Sequence, residues 1–175
     1  MTQADLLVIG GGPAGAATAV HGARAGLSVI VVDRARFPRD KPCAEYLSPE
    51  ASRDLEDLGV LDAVEAAGAA KLHGFRLVSD DGAAVSGRFA NTSFTPYRPF
   101  GYALPRLKLD ALLLDAARSA GAEVRDGVAL DHLTFEDGMV TGAVLRGAAD
   151  RSMVRARAVG GADGLHSLVA RQLGL

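Results

Sequence analysis

The sequence contains one cysteine, Cys43, and no long hydrophobic run. A single cysteine cannot form an internal disulfide, so we expect a reducing compartment and a cytoplasmic location. No apolar stretch approaches the roughly 20 residues that a helix needs to span a bilayer. The first apolar run, Leu6 to Ile9, is of strand length and lacks the basic segment that precedes it in a signal peptide. We therefore expect neither a transmembrane segment nor a secretory leader.

An excess of charge of one sign is also missing. The chain has 19 Lys and Arg against 21 Asp and Glu, a net charge of −2, and no basic stripe. Nucleic acid is therefore not an expected partner, because binding its phosphates requires clustered positive charge. The histidines His21, His73 and His132 show no spacing typical of metal ligands, and no metal site is predicted.

Residues 5–33 show the clearest pattern in the sequence. The run "DLLVI" is continuously apolar, which is typical of a strand buried on both faces. Pro13 is suited to the first position of an alanine-rich helix, and Gly26 stands where a helix C-cap glycine belongs. A second apolar run, "SVIVV", ends at Asp33. This order predicts a strand–helix–strand unit and an α/β fold.

Further helices and hairpins are predicted along the rest of the chain. Ser48 is expected to cap a helix with Pro49 at its first position, and an irregular aromatic loop is expected in "NTSFTPYRPFGY". Apolar residues after Pro105 repeat with helical spacing, which predicts one apolar stripe. Its members are Leu109, Leu112, Leu113, Ala116, Ala117 and Ala120. The other predicted elements are a short helix from Leu61 to Ala67, a hairpin over 74–89, a strand in "AEVRDG", a hairpin over 129–146 turning at Asp137-Gly138, and a final strand leading into "GADG".

The loop after the first strand, "VIGGGPAGAATA", contains G-x-G-x-x-G at Gly10, Gly12 and Gly15. Gly10 would permit the tight turn, Gly12 would let a pyrophosphate approach the backbone, and Gly15 would allow close packing of helix on strand. The N-terminus of the helix would then offer free N–H groups and partial positive charge to the phosphates. The alternative is a glycine-rich turn in an unrelated α/β protein.

Asp33 stands at the end of the second strand, where an acid accepts hydrogen bonds from a ribose. Its charge would repel a 2′-phosphate, but Arg34 and Arg36 lie close by in the sequence, so an NADP-like ligand stays open. The glycine loop and Asp33 do not decide between FAD and NAD.

Four stretches in order carry a resemblance over nearly the whole chain: "VIGGGPAGAATA", "PRDKPCAEYLSPE", "LPRLKLDALLLDAARSAGAEV" and "GADGLHSLVARQLG". With them the chain resembles the N-terminal portion of the FAD-dependent oxidoreductases of the aromatic-hydroxylase and geranylgeranyl-reductase superfamily, which includes flavin-dependent monooxygenases and halogenase-like members. The resemblance implies a Rossmann-like FAD-binding domain with a parallel sheet and a β-meander crossover, plus the beginning of a substrate-domain β-layer. Residues 1–72 and 102–175 would form the FAD-binding domain, and residues 73–101 a partial substrate-domain hairpin and loop.

The resemblance also implies roles for individual residues. Asp33 would bind the adenosine ribose, Arg34 would flank the adenine, and the segment at Ala129 would contact the adenine through its backbone. Arg106 would contact the cofactor, although it could instead pair with Asp110 one helical turn later. The loop that holds the FAD pyrophosphate would comprise Gly10, Gly12, Pro13, Ala14, Gly15 and Ala16.

Two further residues, Asp163 and Cys43, each have two possible interpretations. Asp163 matches the family's Asp-Gly motif, which braces the pyrophosphate region and is linked to use of a nicotinamide cofactor, but Asp-Gly is also a common turn. Ser167 is interpreted as a helix-start residue. Cys43 is the one weak catalytic candidate, since reductase-like members place a cysteine of this loop near the flavin; Ala44 stands where the family has glycine, and an inert small apolar cysteine is the alternative.

The function that the resemblance implies is that of an FAD-dependent oxidoreductase. NAD(P)H would reduce the flavin, which would then support hydroxylation or alkene reduction of a hydrophobic or aromatic small molecule. Because members of the family continue beyond the matching region, the chain is expected to be an N-terminal half, with possible self-association or a complementing C-terminal half. The alternatives are a catalytically incomplete dinucleotide-binding module that associates with another chain, and an NAD(H)-binding domain of an unrelated dehydrogenase.

Overall fold

The computed structural model describes residues 2–90 and 95–175. Part of the predicted aromatic loop, residues 91–94, lies outside the described residues. The chain divides into two compact units, Met1–Arg39 with Asp110–Leu175, and Asp40–Leu109. The helices are α1 Pro13–Arg24, α2 Ala51–Asp57, α3 Leu61–Ala66, α4 Arg106–Ser119 and α5 Leu168–Gln172. The strands are β1 Thr2–Ile9, β2 Val29–Asp33, β3 Tyr46–Leu47, β4 Ala70–Leu72, β5 Gly74–Val78, β6 Ala84–Arg88, β7 Gly101–Ala103, β8 Glu123–Asp126, β9 Ala129–Glu136, β10 Met139–Arg146 and β11 Arg151–Gly161.

The first unit contains a six-stranded sheet in the order β8-β2-β1-β11-β10-β9. Strands β8, β2, β1 and β11 are parallel, with Leu7 opposite both Ile30 of β2 and Val159 of β11. Strands β11, β10 and β9 form an antiparallel meander. This arrangement confirms the predicted α/β, Rossmann-like fold with a parallel sheet and a β-meander.

Helix α1 lies against β1 and β2 with a face of small residues. Ala16, Ala19 and Val20 are almost completely buried on it, and their short side chains let the helix axis approach the strands closely. Side chains of the parallel strands and of the meander form one continuous buried cluster that also receives Val169 of α5. Burying each Leu, Ile or Val of such a cluster stabilises the fold by about 1.5–3 kcal/mol.

The hairpin of β9 and β10 turns at Asp137 and Gly138, as predicted. Both residues have positive φ, 50° and 78°. A two-residue turn of this kind matches the right-handed twist of the flanking strands, which is why Asp-Gly is frequent there.

Helix α4 begins directly after Pro105, as predicted, but its buried stripe is rotated from the predicted one. Leu109, Leu113 and Ala117 are buried as expected, whereas the remaining fully buried positions are Asp110 and Leu114 rather than Leu112. The predicted stripe counted apolar residues only and therefore omitted Asp110. A buried aspartate requires a partner, and Arg39, which pairs with it, is distant in sequence.

The second unit contains a three-stranded antiparallel sheet, β3-β7-β4, and the predicted hairpin of β5 and β6. Helix α2 is Ala51–Asp57 rather than beginning at Pro49. Ser48 nevertheless makes the capping contact that was predicted, because its Oγ accepts the Ala51 N–H at 3.2 Å. The prediction of an irregular loop through Tyr102 was wrong at its end: Gly101–Ala103 is a strand, and Tyr102 is completely buried. Its pairing with β3 and β4 is non-local and so leaves no local signal.

Candidate dinucleotide site

Gly10 forms the turn between β1 and α1 at the carboxyl edge of the sheet. Its φ is +108°, and its N–H donates to Val32 O at 2.8 Å. A Cβ added to it would lie 2.3 Å from Ala162 O, in the segment that follows β11. Glycine is therefore required here both by the backbone conformation and by the close approach of a neighbouring backbone.

Gly15 permits α1 to sit directly on that turn. A Cβ added at this position would lie 1.8 Å from Gly10 O and 3.3 Å from the Ala162 methyl group. Gly15 has an ordinary helical conformation, so its requirement for glycine is purely steric. The helix–strand packing role predicted for this position agrees with this geometry.

The first turn of α1 presents its backbone N–H groups at the carboxyl edge of the sheet. Gly12 is the N-cap residue, in an extended conformation and without a side chain to cap the helix, and Pro13 is the first helical residue. The N–H groups of Ala14 and Gly15 have no acceptor within the helix by geometry, whereas the Ala16 N–H donates to Gly12 O at 2.9 Å. No acidic residue stands in this turn, so its partial positive charge is not neutralised locally.

Asp33 connects the end of β2 to the glycine turn. Its Oδ2 accepts the Gly11 N–H at 2.7 Å, and its Oδ1 accepts the Ala35 N–H at 2.8 Å. Each carboxylate oxygen has a second acceptor position, so these bonds leave capacity for the hydroxyls of a ribose. The Val128 N–H donates to Asp33 O at 2.8 Å, which places the start of β9, Ala129, next to the same edge.

Asp126, which was not predicted as a site residue, lies beside Asp33. The two residues are register partners at the ends of the parallel strands β8 and β2. Asp126 Oδ2 accepts the Phe37 N–H at 3.2 Å, and the Gly127 N–H donates to Ala35 O at 3.0 Å. The available signal was an acid at the end of a predicted strand, the pattern already noted at Asp33.

Gly11 is enclosed by a wall of side chains. A Cβ added to it would lie 3.0 Å from Leu114 Cδ1, 3.3 Å from Asp33 Cβ and 3.4 Å from Phe37 Cζ. The Arg39 guanidinium lies over the Phe37 ring, 4.9 Å from its centroid. Arg34, by contrast, is exposed to solvent.

Arg39 and Asp110 form an ion pair behind this wall. Arg39 Nη1 lies 2.9 Å from Asp110 Oδ2, and the Asp110 side chain is completely buried. The contact is one of charge rather than a well-aligned hydrogen bond. It attaches the segment after β2 to α4.

The Asp163 side chain is engaged by α5. Asp163 Oδ1 accepts from Ser167 Oγ at 2.6 Å, and Oδ2 accepts the Leu168 N–H at 2.6 Å. Ser167 is the helix N-cap, as expected, because its Oγ accepts the Ala170 N–H at 2.9 Å. The backbone before Asp163 contacts the glycine turn, since the Ala162 N–H donates to Ile9 O at 2.7 Å. Asp163 thus reaches the site through its backbone, and a direct role toward a cofactor stays a prediction.

Cys43 and Arg106 both lie in the second unit. The Cys43 thiol is exposed, and the Glu45 backbone N–H together with the Arg106 guanidinium lowers its pKa. Arg106 is the first residue of α4. The two side chains contact one another, and the cofactor roles predicted for them remain predictions.

Residues 2–90 and 95–175 lack two further features. No three His, Cys, Asp or Glu side chains in this part of the chain are grouped so that they could hold a metal ion. None of its helices combines the length and the apolar character needed to cross a membrane.

The cradle fits an adenine dinucleotide. A turn that tolerates no Cβ, a helix N-terminus without an acid, and a carboxylate at the end of the next strand meet at the carboxyl edge of a parallel sheet. These features define a Rossmann-type dinucleotide-binding protein. The family described as "FAD binding domain" matches residues 3–175, and the chain belongs to it. This confirms the resemblance noted in the sequence and identifies FAD as the cofactor.

Relatives with assigned names include reductases and monooxygenases. The chain is 37% identical over 174 residues to menaquinone reductase of Mycolicibacterium smegmatis, covering 99% of this chain and 40% of that protein. It is 34% identical over 175 residues to 6-methylpretetramide 4-monooxygenase of Streptomyces rimosus, covering 98% of this chain and 41% of that protein. Among solved structures, a geranylgeranyl bacteriochlorophyll reductase-like protein from Thermoplasma acidophilum aligns with a TM-score of 0.84 and 28% identity, over all of this chain and 43% of that one.

The chain therefore matches only a part of each of these relatives. The chain spans about 40% of the length of the named relatives that it matches.

Proposed function

We propose that this chain provides the FAD-binding part of an oxidoreductase whose flavin is reduced by NAD(P)H and acts on a hydrophobic or aromatic small molecule. The observation that supports the proposal is the joint geometry of Gly10, Gly15 and Asp33 at the carboxyl edge of the sheet. The two glycines let the turn and α1 pack closely there, and the Asp33 carboxylate beside them keeps acceptor capacity for ribose hydroxyls. In this proposal residues 1–72 and 102–175 bind FAD, and residues 73–101 face the substrate.

Individual residues of the chain would hold the cofactor in distinct ways. The N–H groups of the first turn of α1 would donate to the pyrophosphate, and Asp33 would accept from the ribose hydroxyls. Arg34 and the backbone at Ala129 would border the adenine. Arg106 would supply a fixed positive charge, and Asp163 would hold the backbone against which the glycine turn rests. The remaining pyrophosphate contacts are assigned to Gly10, Gly12, Pro13, Ala14, Gly15 and Ala16.

Bound FAD would supply the hydride-transfer or oxygen-activating chemistry. The names of the relatives support both outcomes, since one is a menaquinone reductase and another a monooxygenase. We favour a reductase-like or halogenase-like member over a simple hydroxylase, because the loop "KPCAEYLSP" is typical of those branches, and its Cys43 thiol is exposed and has a lowered pKa.

Titration of the full chain with FAD, followed by flavin absorbance and fluorescence, tests the proposal. We expect weak binding that NADH does not displace, because the chain spans about 40% of its relatives' length. Gly15→Ala should abolish it, since its new methyl group would fall on Gly10 O. NADH and NADPH are then added separately under anaerobic conditions, and bleaching of the flavin identifies the reductant. Binding of NADH without binding of FAD would contradict the proposal. Binding of FAD that is never reduced would instead indicate a binding module that needs a complementing chain.

A further inference from the structure

Helix α5 is attached at both ends to other parts of the first unit. Its N-terminus is held by Asp163, which accepts from Ser167 Oγ and from the Leu168 N–H, both at 2.6 Å. Its last residue, Gln172, reaches the meander: Oε1 accepts the Leu133 N–H at 2.7 Å, and Nε2 lies 3.4 Å from Asp131 O. The helix therefore forms a fixed connection between β9 and the Asp-Gly turn.

The middle of α5 presses on the end of β11. Val169 is 5% exposed and belongs to the main buried cluster. A Cβ added to Gly161 would lie 2.9 Å from Val169 Cγ1, so the helix rests directly on that backbone. The position of α5 thus determines where the segment after Gly161 can lie.

That segment is in turn packed against the glycine turn. Ala162 O occupies the space next to Gly10, and the Ala162 methyl group faces Gly15. The Ala162 N–H donates to Ile9 O at 2.7 Å, immediately before the turn. No free space separates Ala162 from Gly10 and Gly15. A shift of Ala162 by a few tenths of an ångström would therefore displace both residues.

We propose that Gln172 is a positioning residue for the dinucleotide site. Its side chain, which is half-buried on the meander, holds α5 so that Ala162 supports the glycine turn. Without these contacts, α5 would still be capped by Asp163, but its C-terminal end would no longer be held in one position on β9. The expected effect on FAD affinity rests on the proposed function, whereas the expected effect on amide hydrogen exchange of the turn does not.

Three variants of the full chain separate positioning from general stability. Gln172→Leu retains the size of the side chain and removes both polar contacts, and Gln172→Glu retains the acceptor for the Leu133 N–H. Val29→Ala truncates a buried side chain at the far end of β2 and serves as a control that is destabilised without touching α5. Amide hydrogen exchange of Ala162 and Gly11, measured without FAD, reports on the turn, and FAD titration reports on the site.

We expect Gln172→Leu to raise the exchange rate of the Ala162 amide relative to that of β1 and to weaken FAD binding about three- to tenfold. Gln172→Glu should stay within about twofold of the unaltered chain in FAD affinity. Val29→Ala should lower the melting temperature and leave the relative exchange of Ala162 unchanged.

Equal behaviour of Gln172→Leu and Val29→Ala in both readouts would overturn the inference. If the unaltered chain does not bind FAD, the proposed function fails, and the exchange of Ala162 alone decides whether Gln172 positions the turn.

Discussion

The Asp33 carboxylate accepts the Gly11 N–H at 2.7 Å, so the acid that ends β2 also holds the glycine turn that follows β1. The conformation of the glycine turn consequently depends on the same side chain that we propose as the ribose acceptor. Since the same carboxylate accepts the Ala35 N–H, a ligand would meet an acid whose orientation is already determined.

Asp33→Ala should weaken FAD binding by more than tenfold, because it removes a charge-assisted hydrogen bond worth about 1.5–3 kcal/mol as well as the ribose acceptor. Asp33→Glu should retain part of the affinity. FAD titration of both variants measures this, with Asp131→Asn as the control, since Asp131 pairs with His132 and Arg151 at the surface. Unchanged affinity of Asp33→Ala would remove Asp33 from the site.

Gly15→Ala should lower the free energy of unfolding by about 3 kcal/mol or more, because α1 would have to move off Gly10 O. Gly26→Ala is the matched control: Gly26 has a φ of +81° but nothing within 4 Å of an added Cβ. It should cost only about 1 kcal/mol, from backbone strain. Urea unfolding compares the two, and similar losses would mean that the close contact at Gly15 is relieved by small shifts.

Arg39→Met should destabilise the chain by about 1–3 kcal/mol, because the completely buried Asp110 would lose one of its polar contacts. The double variant Arg39→Met with Asp110→Leu should recover much of this loss, since no buried charge remains. A double-mutant cycle from urea unfolding gives the coupling energy. Additive effects of the two changes would show that the pair does not contribute as a unit.

Acid stability should depend on Asp5. Hydrogen bonds from Ser28, with Arg157 nearby, lower the pKa of Asp5 from 3.8 to about 2. A lowered pKa in the folded state stabilises the fold above the ordinary pKa, and this contribution is lost as pH falls from about 4 to about 2. Asp5→Asn should therefore be less stable than the unaltered chain at neutral pH, and the two unfolding curves should converge near pH 2. A constant difference across this range would contradict the assignment.

Cys43 should react with iodoacetamide faster at neutral pH than an ordinary thiol. The Glu45 N–H and the Arg106 guanidinium lower its pKa, and the thiolate is the reactive form. Arg106→Gln should raise the pH midpoint of alkylation, while Arg118→Gln, which removes a distant charge on the same helix, should leave it unchanged. Because Cys43 is the only cysteine, the rate is measured directly by mass spectrometry.

The strand–helix–strand unit, the glycine turn, Asp33 and the meander with its Asp137-Gly138 turn were determined by the sequence itself. Their signals are local: apolar runs, a proline at the start of α1, and glycines at positions where φ is positive or a Cβ would clash. The positions of Gly10, Gly15 and Asp33 in the turn, the helix and the strand end could therefore be predicted before their contacts were known.

Only the tertiary structure decided the remaining features. The burial of Asp110 depends on Arg39, the wall over Gly11 combines Phe37 with Leu114, and strand β7 exists because β3 and β4 pair with it. The connection from Gln172 through α5 to Ala162 likewise joins residues brought together only by the sheet. Each of these contacts links segments far apart in the chain, so its free energy depends on packing that a local pattern does not encode.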